Sequence, residues 1–182
     1  MHEPFKFSTP VRVRFNETDL QGHVNFGHYL FYFDIGVTDY LRAIGYPYER
    51  MEVDGIDMLY GESRARYLSS AYFDETLNIH TRIGRIGNAS MRFDFQVIAA
   101  KDRRRVAEGD STVVMIGRGS RKKVRVPEPL REAVACFEGG PSAATVAAPV
   151  SLEAWRRPPI LSARLGLGSD LPGRDAYGLW GG

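Results

Sequence analysis

The stretch from Asn25 to Pro47 constrains the fold of this chain more than any other. Leu30, Phe33, Val37, Tyr40/Leu41 and Ile44 recur at helical spacing, which puts them on one helical face. Asn25 stands where a helix N-cap belongs, and Gly45 with Pro47 closes the helix. The run Tyr29-Leu30-Phe31-Tyr32-Phe33 makes its first turns apolar nearly all the way round, so the helix is expected to be buried on more than one side. Such a helix needs something to wrap it.

The flanking sequence offers a sheet. Upstream, Val11, Val13 and Phe15 alternate with Arg12, Arg14 and Asn16, the period of a strand with one buried face. After Asp54, Leu77, Ile79, Thr81 and Ile83 alternate, as do Met91, Phe93, Phe95 and Val97, and a third run covers Val106 to Ile116. Gly87-Asn88 and Lys101-Asp102 are short, polar connections suited to hairpins. A further strand is read through Ser63 to Phe73, interrupted by Ser69-Ser70. One strand, one buried helix and then consecutive antiparallel strands is an α+β order, with the helix against one curled sheet.

Pro127 to Phe137 reads as a short helix with Leu130, Val134 and Phe137 in phase. Beyond it Pro, Ala, Gly and Ser dominate without sustained periodicity. The organisation expected is one domain over residues 1–138 and an irregular Pro/Ala/Gly-rich tail over residues 139–182.

Composition narrows the class of partner. Of 182 residues, 43% are hydrophobic and 25% charged, near the average for soluble globular proteins. The net charge is +2, from 24 basic and 22 acidic residues, a balance that does not itself call for nucleic acid or a membrane surface. Cys136 is the single cysteine, the opening residues lack an apolar export core, and no stretch approaches the roughly 20 apolar residues of a membrane span. A cytoplasmic protein is expected.

The richest chemistry lies in Thr18-Asp19-Leu20-Gln21-Gly22-His23-Val24-Asn25-Phe26-Gly27-His28-Tyr29. A carboxylate on a turn precedes a helix start, where unpaired N–H groups and the positive dipole end converge. These are parts for acyl chemistry: the amides of Phe26 and Gly27 to hold a carbonyl oxygen as it gains charge, and Asp19 to attack or to deliver water. Gly22 permits the turn. Taken alone, an Asp in a turn is more often a local hydrogen-bonding residue.

Arg14-Phe15-Asn16-Glu17-Thr18-Asp19, then Gly22-His23-Val24-Asn25, Tyr29-Leu30 and Phe33-Asp34, resembles the opening motif of the 4-hydroxybenzoyl-CoA thioesterase-like branch of the hotdog superfamily. Arg66-Tyr67-Leu68, Phe73 to Leu77, and Ala107-Glu108-Gly109 through Val114 are similar to its strands, and the likeness runs from residue 10 to about residue 137. The resemblance implies a long central helix wrapped by an antiparallel sheet, homodimers or homotetramers whose sheets join, and hydrolysis of an acyl-CoA thioester at the subunit interface. Asp19 falls at the family's catalytic aspartate, as nucleophile or general base, and Phe26 at the amide that polarises the carbonyl. This chain departs from the pattern at Phe26, where many relatives carry Asn, and at Asp34, where many carry Glu.

Around that core, Gly22, His23, Asn25 and Tyr29 are expected to contact substrate. His23, His28 and Asp19 are near one another in sequence, but no third His is at hand, and neither a metal nor an organic cofactor is expected. Two basic runs stand out: Arg103-Arg104-Arg105, and Arg118 through Arg125, of which Arg121, Lys122 and Lys123 are the expected contacts to the phosphates of coenzyme A. Neither run carries interleaved aromatics, which argues against nucleic acid. The alternatives are an acyl-carrier-protein thioesterase, with the basic runs docking an acidic carrier, and a non-catalytic hotdog protein that binds acyl-CoA.

Overall fold

The computed structural model describes residues 5–139. The expected tail, Gly139 apart, lies outside the described residues. The elements in chain order are β1 (Phe7–Arg12), a 3-10 turn (Phe15–Glu17), α1 (His28–Ala43), α2 (Tyr48–Val53), β2 (Ile56–Tyr67), β3 (Thr76–Ile86), β4 (Ser90–Ala99), β5 (Arg105–Gly117) and α3 (Glu128–Glu138). The strands form one antiparallel sheet in the order β1-β3-β4-β5-β2, with β1 and β2 at its edges. This is the α+β arrangement the alternation implied, a helix laid against one sheet.

The alternating residues of β3 and β4 all turn inward: Leu77, Ile79, Thr81 and Ile83 on one strand and Met91, Phe93, Phe95 and Val97 on the next are buried. α1 lies across this face. Phe33 stacks on Phe95 with ring centroids 4.3 Å apart and planes 3° from parallel, and Tyr40 meets Phe93 edge-on at 6.1 Å. The close seating needs small residues. A Cβ at Gly109 would stand 2.2 Å from the Arg64 carbonyl oxygen and 2.7 Å from the Phe33 ring, so only glycine fits there.

Several expectations are corrected. The first strand ends at Arg12, not at Phe15: the chain breaks into the 3-10 turn, Phe15 is exposed and Glu17 goes inside. The strand expected over residues 63–73 begins at Ile56 and ends at Tyr67. α2 was not foreseen. α1 starts at His28 with Gly27 in the cap position, not Asn25, and Leu30, expected on its buried face, is turned outward. Tyr29, Tyr32 and Phe33 are buried, whereas Leu30 is 43% exposed and Phe31 66%. Among the described residues, no helix is long and apolar enough to cross a membrane.

Candidate active site

The loop between β1 and α1 is tied down by its own backbone. Thr18 and Val24 form an antiparallel bridge, with the Asp19 N–H donating to the His23 carbonyl at 3.0 Å and the Asn25 N–H to that of Glu17 at 2.9 Å. Val24 N–H donates to the Ala71 carbonyl at 2.8 Å, which fastens the loop to the segment after β2. Gly22 turns the chain with φ of 80°, a conformation that suits glycine.

Asp19 sits inside this turn with its side chain 28% exposed. Its Oδ1 accepts the Gln21 N–H at 2.9 Å, and its Oδ2 lies 3.8 Å from Nδ1 of His23. One oxygen is held and the other faces the histidine. His23 Nδ1 is also 3.3 Å from the Val24 carbonyl oxygen, toward which it donates when that nitrogen carries the proton.

Glu17 is 6% exposed, although carboxylates are rarely buried without partners. Its Oε2 accepts the Arg14 N–H at 2.8 Å and the Tyr32 hydroxyl at 2.8 Å, and its Oε1 lies 3.4 Å from Arg14 Nε. Burial first, then this carboxylate, pushes the Tyr32 phenol far above its usual range. The turn before Asp19 is thereby hung on the buried face of α1.

At the helix start the peptide groups are not equivalent. The Gly27 N–H donates to Asn25 Oδ1 at 3.0 Å, and the His28 N–H to the Asn25 carbonyl at 3.0 Å. Among the described residues, the Phe26 N–H has no hydrogen-bond partner. The expectation of two free amides therefore narrows to one: the Asn25 side chain, in a turn just ahead of the helix cap, takes the Gly27 N–H and leaves that of Phe26 without a partner.

A cleft of about 370 Å³ opens beside this junction, lined by His23, Val24, Phe26, Tyr29, Tyr67, Leu68, Ser69 and Ser70. Asp19 is not among the lining residues and meets the cleft through His23. The Tyr29 ring packs 5.2 Å from that of Tyr67, and burial pushes the Tyr29 phenol up to about 12, with the Ala71 backbone opposing the shift. Behind the serines, Arg104 donates to Ser69 Oγ at 3.1 Å, to the Ser70 carbonyl, and to Glu75 Oε1 at 2.9 Å. One member of the Arg103 to Arg105 run is thus a brace for the cleft wall and not a docking charge.

Arg121, Lys122 and Lys123 are not brought to the cleft within one chain. They follow the end of β5 that pairs with Ile56, while the cleft lies at the other end, where Tyr67 pairs with Ala107. The ten residue steps from Ala107 to Gly117 span about 33 Å at ~3.3 Å per step. Among the described residues, no group of three His, Cys, Asp or Glu side chains is arranged to hold a metal ion.

Residues 13–134 match the family described as the Thioesterase-like superfamily. The chain belongs to that superfamily. The acyl-CoA thioesterase YbgC of Haemophilus influenzae is 24% identical over 128 residues, covering 70% of this chain and 93% of that protein. Among solved structures, a hypothetical protein from Aquifex aeolicus is similar at 25% identity and a TM-score of 0.66, covering 70% of this chain and 98% of its own. Slr0204 from Synechocystis, a 1,4-dihydroxy-2-naphthoyl-CoA thioesterase, shares the fold at a TM-score of 0.66 and 18% identity, covering 71% and 95%. The helix wrapped by a curled five-stranded sheet is the hotdog fold of this thioesterase family.

Within the thioesterase frame, sequence reasoning passed over Glu17, Tyr67, Ser69, Ser70 and Arg104. Glu17 was visible as the acidic residue two before Asp19, and its burial was not. Tyr67 and the serines were read as strand and interruption. Their place at a cleft follows from where β2 ends, at Tyr67, and that end depends on pairing with β5.

Proposed function

We propose that this chain hydrolyses the thioester of an acyl-CoA to a free acid and coenzyme A, with Asp19 as the acting carboxylate. The observation that carries the reading is a helix-start N–H, that of Phe26, left without a partner among the described residues at a cleft whose wall residue His23 faces the half-buried Asp19 carboxylate at 3.8 Å. Oδ1 of Asp19 is occupied by the Gln21 N–H, so Oδ2, on the His23 side, is the oxygen that meets the acyl carbon or the water that attacks it. The Phe26 N–H receives the carbonyl oxygen as it becomes negative, and one such donor is worth on the order of 3 kcal/mol in a transition state. Water adds its oxygen to the acyl carbon, the carbon–sulfur bond breaks, and the thiol takes the proton. Gly22 shapes the turn, and His23 and Tyr29 line the acyl site.

The working unit in this reading is a pair of chains. β2 is a 12-residue edge strand without proline, largely exposed, an edge that natural proteins ordinarily cover. Two such edges joined antiparallel would carry the Arg121–Lys123 turn of one copy toward the cleft of the other, where it meets the phosphates of coenzyme A. The acyl-CoA substrates that the name of the Haemophilus influenzae relative gives it fit this arrangement.

The test is thiol release from acetyl-, palmitoyl- and benzoyl-CoA by the full chain and by Asp19→Asn. Wild type is expected to turn over at least one of them, and Asp19→Asn to lose at least about a hundredfold in kcat with its melting temperature kept. Wild-type turnover in the variant would remove Asp19 from the chemistry. Tight binding of all three without thiol release would make the chain a binding protein.

A further inference from the structure

Tyr67 lies on the last rung of the β2–β5 ladder, paired with Ala107, and the next two N–H groups, of Leu68 and Ser69, both donate to the Val106 carbonyl at 2.8 and 3.1 Å. Its backbone is therefore well fixed. Its ring is held against the buried Tyr29 ring, with centroids 5.2 Å apart. Its hydroxyl donates to the Phe26 carbonyl oxygen at 3.1 Å, a bond that bridges 41 residues of sequence.

That carbonyl belongs to the same peptide unit as the Gly27 N–H, which donates to Asn25 Oδ1 at 3.0 Å. In a trans peptide the C=O and N–H point to opposite edges of one plane. The unit between Phe26 and Gly27 is thus held on both edges, one by the sheet through Tyr67 and one by the loop through Asn25. The preceding unit is held only by its carbonyl, which accepts the His28 N–H, and its N–H is the free one of Phe26. Fixing the plane on either side of Phe26 leaves that N–H little freedom to swing.

We propose that Tyr67 is a positioning residue for the reaction: with Asn25 it clamps the peptide between Phe26 and Gly27 and so aims the Phe26 N–H at the thioester carbonyl. The inference rests on the thioesterase reading above. Tyr67 is 47% exposed, and a hydrogen bond within reach of water contributes little to stability. Its worth is in direction. An oxyanion donor acts through geometry set before the reaction, and a small misplacement lowers turnover without lowering affinity for the ground state.

The experiment uses the full chain and whichever of acetyl-, palmitoyl- or benzoyl-CoA wild type turns over fastest. Tyr67→Phe keeps the ring and removes the hydroxyl. It is expected to lower kcat by about tenfold with KM within about twofold and the melting temperature unchanged. Asn25→Ala should lower kcat alike with KM kept, at the cost of a modestly lower melting temperature because it also strips the Gly27 N–H of its acceptor, and since both act on one peptide the double variant should fall in kcat no more than about twofold below the worse single variant. Nitrogen-15 NMR supplies a readout that needs no turnover: the Gly27 amide should exchange with solvent about tenfold faster in Tyr67→Phe than in wild type. Unchanged Gly27 exchange overturns the clamp whatever the activity. A rise in KM alone, or multiplicative losses in the double variant, would make Tyr67 a wall of the substrate site only. If wild type turns over none of the substrates while Gly27 exchange responds as expected, the thioesterase reading fails and the clamp stands as structure.

Discussion

The two ends of α1 carry the same chemical device to different purposes. Near its start, buried Tyr32 donates its hydroxyl to Glu17 at 2.8 Å; near its end, buried Tyr40 donates to Glu138 at 2.7 Å. In both, burial and then the carboxylate push the phenol far above its usual range. The carboxylates differ. Glu17 is itself buried and belongs to the turn that leads to Asp19, whereas Glu138 is half-buried on the last turn of α3. One pair spans from core to site and the other from core to periphery. Proximity to a reactive group, and not the strength of the bond, decides what such a pair is for.

The largest effect is expected midway between the pairs, where both ends share their support. Phe33→Ala removes the ring stacked on Phe95 and leaves a hole over Gly109. A loss of about 3–5 kcal/mol is expected in urea unfolding, with turnover per folded molecule kept. A loss under about 1 kcal/mol would mean that the helix is held from outside this sheet.

Tyr32→Phe comes next and addresses the site end directly. It leaves Glu17 buried with one donor fewer, which is expected to cost about 1–3 kcal/mol. Because the Glu17 carbonyl also anchors Asn25, thiol release should fall several-fold along with stability. Turnover at the wild-type level would separate the Glu17 turn from Asp19 and undo the contrast between the ends.

How much of this was legible depends on whether burial follows a short period. β3 and β4 were readable because each inward residue is buried and each neighbour is not, so alternation carries the whole signal. β2 was not: past Met58 it is an edge exposed along most of its length, and nothing forces a pattern on it. In the all-apolar run from Tyr29 to Phe33 the period cannot rank positions, which is why spacing alone puts Leu30 on the buried face while the structure buries Tyr29 and Tyr32. The Asp19 motif was legible as residue types in order. The roles of Gly27 and Tyr67 were not, because they rest on which backbone group is already taken, and Asn25 Oδ1 and a tyrosine 41 residues away decide that.

The smallest expected effect tests the far end. In Tyr40→Phe, Glu138 loses a donor, but water can replace it on a half-buried side chain, so the cost is about 0.5–1.5 kcal/mol and thiol release stays at the wild-type rate. Alkaline pH sharpens the comparison. A phenol whose folded pKa is raised binds its proton more tightly in the native state, so its stabilising contribution is complete below the unfolded value of about 10 and is lost as pH climbs from there toward the folded value. Between about pH 9 and 11, wild-type stability should therefore fall, and that of Tyr40→Phe should fall less steeply. Tyr32→Phe should flatten the same slope while also lowering turnover. If the two variants matched in activity as well as in slope, the ends of the helix would be equivalent, and the site would owe nothing to the carboxylate buried beside it.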